Sequence, residues 1–175
     1  MRAELYTAAM LLREERFTLD YERYGAMKQR GPDFTITFKT HTPFNVEVRR
    51  IRSVDWDDSA EHRMSKLVLI LCEKVRQIPP GIVNVLWLTS ERAMSEAELL
   101  IVNVSLRQAA ELKRGTFFTR QGFESAADFL KAYRQLSGIG LAARSTRTLW
   151  LNNTARHPVS PDIAKALQRI IALPD

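Results

Sequence analysis

Two short stretches of the chain alternate apolar and polar residues with a period of two. Phe34, Ile36 and Phe38 take every second position, and Phe44, Val46 and Val48 do the same a few residues on. That period marks half-buried strands, expected over about 33–40 and 44–52. It sends Asp33, Thr35 and Thr37, and then Asn45, Glu47 and Arg49, to the opposite faces of their strands. Two carboxylates and a fixed cation are thereby offered to one polar sheet face. Such a face is costly to cover with protein unless something polar, such as a metal ion, sits on it.

Helical spacing accounts for most other apolar residues. Leu5, Ala8, Ala9 and Leu12 recur at helical spacing and predict a helix over about 2–15. Phe17, Leu19 and Tyr21 alternate with polar residues and predict a strand, and 24–31 reads as a loop. After a polar, acidic connection at 53–59, a long helix is expected over about 59–78. Its broad apolar face includes Met64, Leu67, Leu71, Cys72 and Val75, and Pro79-Pro80-Gly81 ends it. The near-continuous apolar run at 82–89 reads as a central strand covered on both faces. Ser95 and Glu98 have capping-box spacing for a helix that Gly115 stops near Arg114. Ser125 and Asp128 open a further helix ending near Gly138. Residues 149–151 form a short strand, and Ser160-Pro161-Asp162 opens a final helix with Ile163, Ala166, Leu167 and Ile170 inward.

The 175 residues predict one domain, 1–175, with a core over about 1–90 and a largely helical extension over about 91–175. The apolar fraction of 45% and charged fraction of 26% are those of an ordinary globule. The net charge of +6 favours a polyanionic partner, nucleic acid being the commonest, although it equally suits plain solubility. Cys72 is the single cysteine, so an internal disulfide and a paired-cysteine metal site are both excluded; a reducing, cytoplasmic setting is the simpler expectation. The start carries Glu4, Glu14 and Glu15 and makes a poor signal peptide, and no apolar run approaches the roughly 20 residues that span a bilayer.

With the elements in place, the segment Pro32-Asp33, the alternating strands and Glu47-Val48-Arg49 resemble the PD-(D/E)xK nuclease superfamily. The resemblance covers about residues 1–90. It implies a restriction-endonuclease-like fold: an α/β mixed sheet flanked by helices, with an α-β-β-β-α-β core. It also implies that Asp33, Glu47 and the Val48 carbonyl bind Mg²⁺ or Mn²⁺, with Glu4 as the acidic residue of the first helix and Glu14 or Glu15 behind it. Hard cations of this kind take carboxylate oxygens and keep several waters, and they supply a lower-pKa water for phosphodiester hydrolysis.

Arg49 departs from the family, standing where a lysine is usual. An arginine stays protonated and cannot serve as a general base, but it grips phosphate and stabilises negative charge. Lys39, on the Asp33 face of its strand, is a substitute, and Lys74, bordering the apolar face of the long helix, a weaker one. Hairpin geometry leaves a choice. A turn centred on Thr40 puts Asp33 directly across from Glu47, whereas one centred on Thr42 displaces them by about 13 Å and requires a bulge or bend.

Bland readings stand beside these. Arg49, Arg50 and Arg52, with Lys39 and Lys74, are candidate nucleic-acid contacts or members of surface ion pairs with acids such as Asp55, Asp57 and Asp58. His41 reads as a turn residue, and His62 and His157 as surface residues. Trp87 and Trp150 read as core, and Trp56 as a stacking platform or lid. Arg144 and Arg147 bind phosphate or belong to a solvated loop, and Cys72 is a small hydrophobe. Three functions remain: a Mg²⁺-dependent nuclease acting on DNA more than RNA, a catalytically degenerate nucleic-acid-binding relative, and a protein-interaction module that can pair with a second copy.

Overall fold

The computed structural model describes residues 3–21, 31–52, 59–91, 93–144 and 146–172. It is an α/β structure in which helices flank one six-stranded mixed sheet. The first six elements are α1 (Ala3–Leu11), β1 (Phe17–Tyr21), β2 (Phe34–Phe38), β3 (Thr42–Ile51), α2 (Ala60–Val75) and β4 (Asn84–Ser90). Then come α3 (Glu96–Glu111), α4 (Gly115–Arg120), α5 (Ala126–Tyr133), β5 (Gly138–Ala143), β6 (Arg147–Leu151) and α6 (Pro161–Ala172). Strand order across the sheet follows the chain, β1-β2-β3-β4-β5-β6. The pairs β1–β2, β2–β3 and β5–β6 are antiparallel, and β3–β4 and β4–β5 are parallel.

Parallel neighbours require crossovers, and both crossovers step the same way across the sheet. One handedness therefore lays both on the same face. There α2, α3 and α5 pack on Ile51, Leu86, Leu88, Ile139 and Leu141. On the other face α1 and α6 cover Phe34, Ile36, Phe44, Val46, Val85 and Trp87. Trp87 is fully buried, while Trp150 is half-buried at the edge of the first core. Cys72 lies in that core, and burial pushes its thiol up to about 12, which keeps it inert.

The hairpin question resolves in favour of Thr40. Phe38 pairs with Thr42 and Phe34 with Val46, with no bulge needed. Lys39 and Thr40 turn the corner with φ of 50° and 70°. Two helix caps behave as their spacings predict: Ser95 and Glu98 form a capping box, and Ser125 accepts from the Asp128 amide. Ser59 also caps α2, accepting from the His62 amide.

Several expectations need correction. The first helix is shorter than expected, Ala3–Leu11; its inward side is Thr7, Met10 and Leu11, and Leu5 and Leu12 are exposed. Gly115 begins α4 rather than merely stopping α3. The fifth helix ends at Tyr133, and Gly138 opens β5, a strand the pattern did not reveal. The second half of the chain is thus no helical appendage, because β5 and β6 complete the same sheet. The loop at 24–30, Trp56 and the acids Asp55, Asp57 and Asp58 lie outside the described residues.

Candidate functional site

One residue beyond the Phe34–Val46 pair, Asp33 stands across from Glu47. Both strands present their odd-numbered residues to the α2 face, as the alternation predicts. Asp33 precedes the first residue of β2, while β3 continues to Ile51, so the upper part of β3 runs past its neighbour. Asp33 closes that gap: its Oδ2 accepts the Val48 amide at 2.7 Å. A residue in an extended strand turns its N–H and C=O to the same edge. The Val48 carbonyl therefore faces the same gap.

The cation beside these acids comes from α2. Lys74, in the last turn of that helix, places Nζ 2.5 Å from Glu47 Oε1, with both side chains largely buried. It also lies 3.5 Å from Gln77 Oε1. A cleft of about 300 Å³ opens next to the pair, bounded by Pro32, Asn45, Gln77 and Asn84. Beneath it runs a buried polar chain: Thr35 Oγ1 donates to Asn45 Oδ1 and Asn45 Nδ2 to Asn84 Oδ1, each at 3.1 Å. Asn84 Nδ2 in turn donates to the carbonyls of Pro79, Ile82 and Gln135. This network holds the two strands in the register that apposes the acids.

The Asp33 carboxyl is pushed up to about 6. Burial is the main cause; the Val48 amide and Lys74 oppose it, and the negative charges of Glu47 and Glu4 reinforce it. Glu4, in the first turn of α1, is thus close enough to act on Asp33. It does not complete an ion site, because no group of three or more His, Cys, Asp or Glu fits a metal among the described residues. Asp33 and Glu47 with the Val48 carbonyl make three oxygens, a donor set that suits a largely hydrated Mg²⁺ or Mn²⁺. A half-buried carboxylate held well above its usual range is chemically what an added cation would relieve, so these residues fit the ion.

Other predicted residues are placed elsewhere. Arg49 is on the Glu47 face but reaches Glu73 of α2 at 3.8 Å, and its Nε is buried without a partner among the described residues. Arg50 points to the other face, toward Glu91. Arg52 is exposed just past β3. Lys39 is not on the Asp33 face at all. It sits in the hairpin turn, at the far end of β2 and about 20 Å from Asp33, over the Phe38 ring and 3.6 Å from Asp162. A left-handed turn residue leaves the strand's alternation, which is why counting by twos misplaced it. Glu14 is held below its ordinary range, chiefly by its hydrogen bond from Arg16, and also meets Arg169. It belongs to a separate network at the other end of α1. His41 and His62 are exposed, and His157 is half-buried with its carbonyl accepting from Ser137.

Sequence reasoning undervalued Lys74 and missed the asparagine chain. The signals were present: a lysine flanked by Leu71 and Val75 of a core-facing stripe, and one amide inside an otherwise apolar strand. No family model, curated protein or solved structure gives a significant match to this chain.

Proposed function

We propose that this chain is a metal-dependent phosphodiesterase of the nuclease type, built on a restriction-endonuclease-like core, with Asp33, Glu47 and the Val48 carbonyl as the ligands of one Mg²⁺ or Mn²⁺. The observation that carries this reading is the apposition of Asp33 and Glu47 with Lys74 2.5 Å from Glu47. Lys74 takes the part expected of the residue two places after Glu47, arriving from a helix instead of the strand. When bound, the ion supplies a more acidic water and charge stabilisation on phosphate oxygens. Asp33 is fixed by the Val48 amide, so its second oxygen is left for a ligand. The Lys74 ammonium fixes the Glu47 carboxylate and lends positive charge beside the scissile group. A nucleic-acid strand is the substrate class that the net charge of +6 favours.

The test is cleavage of plasmid and single-stranded DNA with Mg²⁺ or Mn²⁺. Asp33→Ala and Glu47→Ala are expected to lose at least about 100-fold, as is usual when a transition-state interaction of roughly 3 kcal/mol is removed. Lys74→Ala should fall with them, whereas Arg49→Ala should retain most activity. Metal affinity should rise with pH through about 6, because the Asp33 proton must leave before the ion binds. Absence of cleavage under every condition, or equal cleavage by the variants, overturns the reading.

The degenerate alternative has two observations in its favour: Glu47 already pairs with Lys74, and Arg49 with Glu73. It predicts nucleic-acid binding that weakens steeply with salt, without cleavage and without metal uptake.

A further inference from the structure

A second polar centre lies on the opposite face of the sheet. Arg50 pairs laterally with Thr89, Thr89 with Ala142, and Ala142 with Arg147. Residues paired in register share a face, so these four side chains form one row across β3, β4, β5 and β6. The row below it, Val48, Trp87, Gly140 and Leu149, belongs to the apolar core under α1 and α6. The basic row is therefore the first above that core, at the carboxyl ends of the parallel strands, the place where open α/β sheets bind ligands. Strands are spaced by about 4.8 Å, which puts the two arginine backbones about 14 Å apart with only Thr89 and Ala142 between them. Long side chains at the ends and short ones in the middle make a trough. Tyr6 of α1 walls it, Arg144 at the β5–β6 turn overhangs it, and its volume is about 360 Å³.

Two observations point to an anion. Three guanidinium groups line the trough against one carboxylate, Glu91, among its described lining residues. The Thr89 hydroxyl on its floor is buried with no hydrogen-bond partner among the described residues. An unmet buried hydroxyl is costly, and Thr89 stands in the row between Arg50 and Arg147, whose guanidinium groups match phosphate oxygens in fork geometry.

We propose that this trough is a phosphate-binding site that seats a phosphodiester of a nucleic-acid strand, with Arg147 and Arg144 gripping the phosphate and Thr89 donating from below. Arg50 completes the ring when its contact with Glu91 yields. The site does not depend on the Asp33–Glu47 pair being catalytic, and it lies on the other side of the sheet from it.

The test uses the whole chain in EDTA, so that cleavage plays no part. Binding of a fluorescein-labelled 20-nucleotide single strand is followed by anisotropy, and binding of inorganic pyrophosphate by calorimetry. Arg144→Ala and Arg147→Ala should each weaken strand binding roughly tenfold and lower the salt slope by about one. Thr89→Val, nearly isosteric, should weaken binding while melting at the same temperature or higher, a crossed result that a damaged fold does not give. Arg120→Ala, on exposed α4, should bind like wild type. Asp33→Asn should still bind, which separates failure here from failure of the nuclease reading. Pyrophosphate binding lost in Arg147→Ala, with strand binding unaffected, supports the site with a free phosphate compound as its source. If Arg144→Ala, Arg147→Ala and Thr89→Val all bind both probes like wild type, or wild type binds neither, the proposal fails.

Discussion

Asn152 and Asp33 are both polar side chains packed against the sheet, and their surroundings differ in how fully they are met. Asn152 is buried; its Nδ2 donates to the carbonyls of Tyr133 and Leu136, and its Oδ1 accepts from the amide and hydroxyl of Thr154. Nearby, the Tyr133 hydroxyl donates to Asn103, and the Ser137 hydroxyl accepts the Asn84 amide while donating to the His157 carbonyl. Each of these side chains is neutral and partnered. Asp33 has one amide donor, two acidic neighbours and partial burial. Saturated neutral groups make scaffold, because only well-partnered buried polar groups add rigidity without cost. A carboxylate left short of donors marks a candidate site, because the shortfall is what a ligand would supply.

The contrast can be broken most severely on the scaffold side. Asn152→Leu strands the Leu136 carbonyl and the Thr154 amide and removes a second donor to the Tyr133 carbonyl, and should cost about 3–4 kcal/mol in urea unfolding. Gly140→Ala should cost about 2–3 kcal/mol, because the new Cβ would lie 2.6 Å from Cε3 of the fully buried Trp87 ring. On the site side the sign reverses. The folded-state value for Asp33, about 6, exceeds its reference of 3.8, so the native state holds the proton longer than the unfolded chain. Its destabilising contribution is absent below about pH 4, grows as pH rises toward 6, and is complete above that. Asp33→Asn should therefore be more stable than wild type at pH 7 by about 1–2 kcal/mol, a figure discounted for partial exposure. The gain should vanish in melts at pH 4. If Asp33→Asn instead destabilises at both pH values, the carboxylate is scaffold like Asn152 and the contrast collapses. The smallest effect lies in the turn that sets the register. Thr40, β-branched at φ 70°, should gain about 1 kcal/mol on change to Gly.

Much of the first half of the fold was legible because alternation is strict there. The strands β1, β2 and β3, the long helix and the capping serines all follow from local pattern. The register was legible only as a choice of two, since the turn uses Lys39 and Thr40 at positive φ, with no Asn-Gly or Gly to announce it. The strand β5, Gly-Ile-Gly-Leu-Ala-Ala, has weak strand propensity. Within it Gly140 leaves room for the Trp87 ring, which a Cβ there would meet at 2.6 Å, a tertiary reason no local window holds. Likewise α1 turns Leu5 and Leu12 outward, although its alanines and leucines allow either face. At the site, Asp33 and Glu47 were readable as a pair, and Lys74 only as a weaker candidate beside Lys39. Its approach depends on how α2 folds back over β3.

The coincidence of chain order and strand order has a consequence for how the molecule is made. Each strand docks on the one completed just before it, so the sheet can grow at one margin as the polypeptide emerges from the ribosome. The tightest closure along that path is the turn between β2 and β3, the step that apposes the two acids. Their charge repulsion is met when that hairpin closes, before the helix that brings Lys74 can dock on it.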